Sequence, residues 1–175
     1  QNDVYAVLWS AAGGFGDPLE RDQARVEADI ANGDVSEKAA LEIYGVVLGD
    51  AKATEGQRNK LRRRRIHGHS RKAEKLSAPV KFLSTENVAV HTNGHYACAK
   101  CGTDLGPVSG NYKSSCVRND LPIEASNPIV GDPKRFIDPL PQFRQFCCPG
   151  CGLAIENEIA VAEDPVLRDV EILSR

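Results

Sequence analysis

The stretch FCCPGCG, residues 146–152, places three of the chain's six cysteines within five consecutive positions. Cys148 and Cys151 are separated by two residues and are followed by Gly152, which makes a C-x-x-C-G turn. The same pattern occurs in CAKCG at residues 98–102. Zinc prefers a tetrahedron of thiolates, and two turns of this kind supply four. The repeated pattern therefore predicts a zinc site.

Each C-x-x-C turn places two sulfurs on one side of the tetrahedron, and the glycine that follows lets the backbone turn tightly. The predicted metal ligands are Cys98, Cys101, Cys148 and Cys151. Four thiolates leave no open position for water, so we expect a structural ion and no catalytic one. The ion would join distant parts of the chain, where such a link stabilises a small fold most. Iron in the same four-sulfur cage remains an alternative.

Cys116, Cys147 and His95 are weaker candidates for the metal ligands. We expect Cys147 to point to the opposite face of its strand and Cys116 to be a buried thiol. His95, three residues before Cys98, is an alternative ligand. Two disulfides are disfavoured, because they would need an oxidising compartment. A redox-active pair is also disfavoured, because it would need only one C-x-x-C, usually at a helix start, and both pairs here are predicted in strand-and-turn surroundings.

Composition narrows the class of protein. The chain has 175 residues and a formal net charge of −2, which argues against a general polyanion binder. No apolar run approaches the roughly 20 residues that span a bilayer, and no signal-peptide pattern is visible. We therefore expect a cytoplasmic protein with no membrane partner.

The pattern along the chain predicts an α+β fold in three parts. Residues 1–50 combine a strand at 4–9 with two short helices, the second capped by Ser36. Residues 51–77 form a basic helix and linker, and a Thr54/Gln57 capping box predicts where the helix begins.

The pattern over residues 78–175 predicts a β-rich zinc-binding domain resembling a zinc ribbon. Asn93-Gly94 predicts a hairpin turn. Residues 111–118 and 143–148 are strand candidates, and 152–164 form a last strand that Pro165 ends.

Two further motifs suggest a binding function that their residues do not support well. The basic stretch LRRRRIHGHSRK, residues 61–72, could contact nucleic acid, but it has no aromatic residue for stacking, and the whole chain is slightly acidic. We interpret it as a solvated or partner-facing arm that carries His67 and His69. The glycine-rich AAGGFGDP, residues 11–18, lacks the Lys-Ser/Thr of a phosphate loop. We predict no catalytic residue and no nucleotide site in this chain.

Residues 13–48 resemble the C-terminal end of the hydantoinase B/oxoprolinase large subunit. That family has a glycine string, a Gly-Asp-Pro motif and a helix pair that ends in a Tyr-Gly-Val-Val-Leu-like segment. Ala11 and Ala12 stand where the family commonly has further glycines. The matching residues are Gly13, Gly14, Gly16, Asp17, Pro18, Arg21, Asp22, Val35, Ser36, Ala39, Ala40, Tyr44, Gly45, Val46 and Val47.

The stretch FCCPGCGLAIENEIAVAEDPVLRDVEI, residues 146–172, is similar to the end of the small subunit of acetone carboxylase and related proteins. That subunit also has a zinc-like cysteine cluster and an acidic, proline-containing end. Together the resemblances imply the small structural zinc-binding subunit of an acetophenone-carboxylase-like complex.

Such complexes are ATP-dependent and biotin-independent, and they join bicarbonate to a ketone to give a 3-oxo acid. The resemblance implies large hydantoinase A/B-like partners that hold the ATP and its divalent metal, in a hetero-oligomer in which this chain has no activity of its own. Two alternatives remain. One is the small subunit of a hydantoinase/oxoprolinase-type cyclic amide hydrolase, and the other is a zinc-ribbon nucleic-acid module that uses residues 62–65.

Overall fold

The computed structural model describes residues 15–69, 73–126, 134 and 138–172. Within these ranges the chain forms three α-helices and seven strands in two antiparallel sheets, which confirms the predicted α+β class. The strand predicted at residues 4–9 lies outside the described residues. The helices are α1 (Gln23–Ala31), α2 (Glu37–Glu42) and α3 (Ala51–Arg65). The strands are β1 (Val80–Leu83), β2 (Val88–His91), β3 (His95–Cys98), β4 (Asp104–Pro107), β5 (Val117–Pro122), β6 (Pro141–Cys147) and β7 (Ala154–Val161).

Side-chain caps begin the two front helices. At the start of α1, the Asp22 carboxylate accepts a hydrogen bond from the Arg25 amide at 3.1 Å. At the start of α2, the Ser36 hydroxyl accepts one from the Ala39 amide at 3.1 Å. Gly33 follows α1 with a φ of 82°, a conformation that favours glycine at a helix end. The two predicted helices are therefore confirmed. Between them lies a small core of Val26, Ala40 and Val46.

Helix α3 begins one turn earlier than the predicted Thr54/Gln57 box, so that prediction is wrong. Asp50 caps the helix by accepting from the Ala53 amide at 2.9 Å, and aspartate is at least as good an N-cap as threonine. The Thr54 hydroxyl instead accepts from the Val47 amide at 2.9 Å. None of the helices in the described ranges has the length and apolar character needed to cross a bilayer.

The first sheet has the order β1-β2-β3-β4, and the second has the order β5-β6-β7. The predicted Asn93-Gly94 turn joins β2 to β3, with the Gly94 amide donating to the His91 carbonyl at 3.0 Å. The strand predicted at 111–118 is mostly wrong. Tyr112–Ser115 is a 3₁₀ helix, and β5 begins only at Val117. The Asn111 side chain accepts from the Lys113 amide at 3.1 Å and starts that turn.

Strands β6 and β7 confirm the predicted later strands. Strand β7 ends at Val161, before Pro165, because Asp164 folds back on it: the Asp164 amide donates to the Val161 carbonyl at 3.1 Å. Both sheets contribute to one hydrophobic core. It contains Val88, Val90, Tyr96, Cys98, Leu105, Tyr112, Cys116, Phe146, Cys148, Leu153 and Ile155.

A network of buried charges crosses the second sheet. Arg144 is 0% exposed and lies 3.2 Å from the Glu158 carboxylate. Its guanidinium also donates to three backbone carbonyls, one at the end of β7 and two in the turn that follows, at 2.5 to 3.2 Å. Lys113 reaches Glu158 at 3.3 Å and Asp169 at 3.1 Å. The network therefore fixes the turn after β7 and the C-terminal tail against the sheet.

We predict that Glu158→Gln lowers the free energy of unfolding by about 3–5 kcal/mol, because it leaves two buried cations without their shared carboxylate. Urea denaturation measures this. The matched control is Asp120→Asn, which removes the carboxylate of the half-exposed pair with Arg118 and should cost about 0–1 kcal/mol. Equal effects of the two substitutions would contradict the role given to the buried network.

Candidate metal centre

The four predicted cysteines converge on one point. Their Sγ atoms all lie within 4.8 Å of one another. The Cys98 and Cys151 sulfurs are 3.8 Å apart, and those of Cys101 and Cys148 are 3.6 Å apart. A regular tetrahedron of sulfurs about 2.3 Å from a central ion has edges of about 3.8 Å. A disulfide sulfur pair is only about 2.05 Å apart. The spacing therefore fits four thiolates around one ion.

Two equivalent hairpin turns present these sulfurs. Knuckle 1, residues 98–102, connects β3 to β4, and knuckle 2, residues 148–152, connects β6 to β7. In each, the amide of the first cysteine donates to the carbonyl five residues later at 2.9 Å. The glycine amide donates back to the carbonyl of the first cysteine, at 2.8 Å in knuckle 1 and 2.9 Å in knuckle 2. Gly102 and Gly152 have φ values of 73° and 72°, which explains the glycine that follows each pair.

Thr103 supports the centre from knuckle 1, although the sequence pattern gave no signal for it. Its buried hydroxyl lies 3.1 Å from the Cys101 sulfur, where it can donate to a thiolate. A Cβ atom on Gly150 would lie 2.2 Å from that hydroxyl. Knuckle 2 therefore needs glycine at this position for the two turns to meet.

Contacts among the four sulfurs shift the pKa values of their thiols in opposite directions. Hydrogen bonding to Cys148 and the other cluster thiols holds the pKa of Cys101 below its usual value. The bond with Cys101 raises the pKa of Cys98. An opposite charge close to a thiol favours its ionised form, so a cation among the four sulfurs would favour four thiolates. Metal binding at such a site releases protons and weakens as the pH falls.

The other candidate ligands lie outside the group of four. Cys147 is fully buried, and its sulfur accepts from the Asn119 side-chain nitrogen Nδ2 at 3.8 Å. Burial raises the pKa of this thiol to about 11. Cys116 is buried, as predicted, with its thiol 3.6 Å from the Tyr112 carbonyl. The His95 ring nitrogen Nδ1 faces the Asp104 carboxylate at 3.0 Å instead of a metal.

One face of helix α3 packs on knuckle 2, so the prediction of a solvated or partner-facing arm is wrong for this face. Arg65 donates to the Asp17 carboxylate at 2.6 and 3.0 Å and to the Gly152 carbonyl at 3.1 Å. The Asp17 side chain is completely buried and also accepts from the Ala154 amide at 2.9 Å. A Cβ atom on Gly152 would lie 2.3 Å from the Arg62 carbonyl, so the helix contacts the turn directly.

The turn at residues 17–20, here called the clamp, touches both knuckles. Its Asp17 reaches the segment after knuckle 2, as described above. Its Glu20 pairs with Arg62 on α3 and with Lys100 inside knuckle 1. Sequence analysis singled out the Gly-Asp-Pro motif but did not predict this contact. The clamp therefore joins the front helices to the metal centre.

The charge state of Asp17 depends on these contacts. Burial alone would raise the pKa of the carboxyl group, but the Arg65 guanidinium and the amides of Ala154 and Leu19 outweigh it. The net pKa is below the ordinary value, so Asp17 is ionised at neutral pH.

The family model for the acetone carboxylase gamma subunit matches residues 74–173. The chain belongs to this family. The match includes both knuckles and both sheets, and it confirms the predicted relation to the small subunit of acetone carboxylase. A search of curated proteins found no match. The gamma-subunit match does not extend to residues 13–48, whose resemblance to hydantoinase B stays a prediction.

We predict that Cys101→Ser and Cys148→Ser each abolish stoichiometric metal binding, because serine cannot replace a thiolate in a four-sulfur shell. Elemental analysis of the purified chain should fall from about one ion per chain to background. Cys116→Ser is the matched control, since it removes a buried thiol outside the group and should keep the ion. Full metal content in either ligand variant would show that the ligand assignment is wrong.

We predict that Asp17→Asn loosens the packing of the front helices and α3 on knuckle 2, at a cost of about 3–5 kcal/mol, because Arg65 loses its buried partner. Hydrogen exchange of the α1 and α3 amides should accelerate, while bound metal stays unchanged. Asp34→Asn, at an exposed position, is the control.

The contact between Asp17 and Arg65 predicts that the free energy of unfolding depends on pH. Because the folded-state pKa of Asp17 is lowered, its ionised carboxylate stabilises the fold fully at pH values above the unfolded-state pKa of about 3.9. This stabilisation is lost as the pH falls through the lower folded-state pKa. Asp17→Asn should therefore flatten the acid limb of the stability curve. An unchanged acid limb, or unchanged exchange in the helices, would contradict the clamp.

Proposed function

We propose that the chain is the structural zinc-binding subunit of an ATP-dependent, biotin-independent ketone carboxylase of the acetophenone-carboxylase type. The observation that carries the proposal is a four-cysteine group of tetrahedral dimensions inside a match to the acetone carboxylase gamma subunit. Residues 13–48 add the resemblance to hydantoinase B, which supports large hydantoinase A/B-like partners in a hetero-oligomer.

The zinc would be held by Cys98, Cys101, Cys148 and Cys151. Its contribution is structural: it ties two hairpins from different sheets, whose paired sulfurs are 47 and 53 residues apart in the chain. Four thiolates leave no position for a substrate or water. Iron could occupy the same cage, and metal analysis distinguishes the two. The thiols must stay reduced, which supports a cytoplasmic location.

The reaction would take place on the partner subunits. There ATP and its divalent metal would activate the substrates, and bicarbonate would be joined to the methyl carbon of the ketone to give a 3-oxo acid. This chain would complete the assembly without activity of its own.

Exposed apolar side chains support a role within a complex. Strand β1 is an edge strand, and its Val80, Phe82 and Leu83 are 55%, 38% and 61% exposed. An apolar edge of this kind favours association with another chain.

The resemblance of residues 13–48 also favours a second candidate, the small subunit of a complex that hydrolyses cyclic amides. Both candidates use the same scaffold, and the substrate pocket would lie in the partners. A nucleic-acid module is less well supported, because Arg62 and Arg65 are already engaged by carboxylates of this chain.

The test is purification of the native complex through a tag on this chain. We expect two large subunits to accompany it, and we expect ATP consumption that requires both bicarbonate and a ketone such as acetone or acetophenone. Hydrolysis of a cyclic amide without bicarbonate dependence would establish the second candidate. A stable, monodisperse monomer with no large partner would contradict both.

A further inference from the structure

Helix α3 has two basic faces with different surroundings. The inner face contacts only groups of this chain: its arginines reach Tyr44, Arg21 and Leu19 carbonyls and the carboxylates of the clamp. These inner residues are Arg58, Arg62 and Arg65. The positive charge of this face is therefore used within the fold.

The outer basic face consists of Lys60, Arg63, Arg64 and His67, all exposed. Together with Gly56 and Asn59 they line an open groove of about 450 Å³. Within the described parts of the chain, none of the three permanent cations makes an ion pair with a carboxylate. Like charges three and four residues apart on a helix repel, so this face weakens the isolated helix.

Gly56 leaves a gap in the middle of this face, here called the notch. It lies inside α3, where glycine costs about 1 kcal/mol relative to alanine. A Cβ atom there would meet nothing within 4 Å, and its φ is not in the left-handed region. The fold of the chain therefore gives no reason for glycine. The missing side chain leaves the groove open to an atom from outside.

The helix dipole accounts for only part of this pattern. Cations are favoured in the last turn of a helix, and Arg63 and Arg64 lie there. Lys60 lies before the last turn, and the dipole has no bearing on Gly56.

We propose that the outer basic face docks an acidic surface of a large partner subunit, a proposal that rests on the proposed function. The guanidinium of each arginine can bind a carboxylate with two parallel hydrogen bonds, and the notch at Gly56 would admit a side chain of the partner. Helix α3 precedes the range matched to the gamma subunit, so this contact would be additional to that module. Nucleic acid is disfavoured, because no Phe, Tyr or Trp lines the groove and the chain carries a net charge of −2.

The test compares two double substitutions that remove the same charge. Arg63→Gln/Arg64→Gln should weaken binding to the large subunits of the native complex at least tenfold and reduce its salt dependence. Lys38→Gln/Lys75→Gln, at exposed positions outside helix α3, should leave affinity within about twofold. Biolayer interferometry with the tagged chain immobilised, at several salt concentrations, measures both.

Gly56→Leu provides a second readout that a merely structural role would not produce. Leucine is a better helix former, so the melting temperature of the chain should not fall, while the filled notch should weaken partner binding at least tenfold. A structural role would change stability and leave affinity unchanged.

Three outcomes would overturn the inference. One is undiminished affinity of both the arginine and the Gly56 variants. The second is binding to duplex DNA that depends on Arg63 and Arg64, and the third is a dimer of this chain that the same substitutions dissolve. If the unsubstituted chain retains no large subunit, the proposed function fails together with this inference. If it retains them and the variants bind equally well, only the inference fails.

Discussion

The convergence of four sulfurs from two separate sheets is the constraint on which this fold depends. Each sheet is small, with four strands in one and three in the other, and each ends its contribution to the centre in a tight hairpin turn. The two turns must meet closely enough that a single Cβ atom on Gly150 would prevent it. Structural zinc contributes about 10–16 kcal/mol of binding free energy in small zinc-finger peptides, which exceeds the net stability of many domains of this size. An ion in this cage would therefore stabilise the relative position of the sheets more than any single side-chain contact.

The buried charges follow from that position. Arg65 and Asp17 bind backbone groups at Gly152 and Ala154, and these groups are in place only when knuckle 2 has its observed shape. The Arg144 network has a similar role at the other end of β7, where a buried cation donates to the backbone carbonyls of Val161, Ala162 and Asp164. Charges in such sites are stable only with all their partners present. The metal centre, the clamp and the tail network therefore form one connected set of constraints along β6 and β7.

The convergence of the four cysteines could be predicted from the sequence because their signal is local. A C-x-x-C-G turn specifies its own geometry, and two copies specify the shell. The hairpin at Gly94 and the cap at Ser36 were predictable for the same reason. The clamp could not be predicted, because Asp17 and Ala154 are 137 residues apart and no local sequence pattern at either residue indicates the contact. A run of arginines looks solvated in sequence, and only the tertiary contacts separate the inner face of α3 from the outer one. The helix start at Asp50 was missed because two capping patterns competed, and the earlier one prevails.

The most direct test of this account is X-ray absorption at the zinc edge on the purified chain. The account predicts a bound zinc with four sulfur neighbours at about 2.3 Å and no oxygen or nitrogen in the first shell. A shell with fewer than four sulfurs, an iron spectrum in place of zinc, or a chain that folds fully without any ion would contradict it.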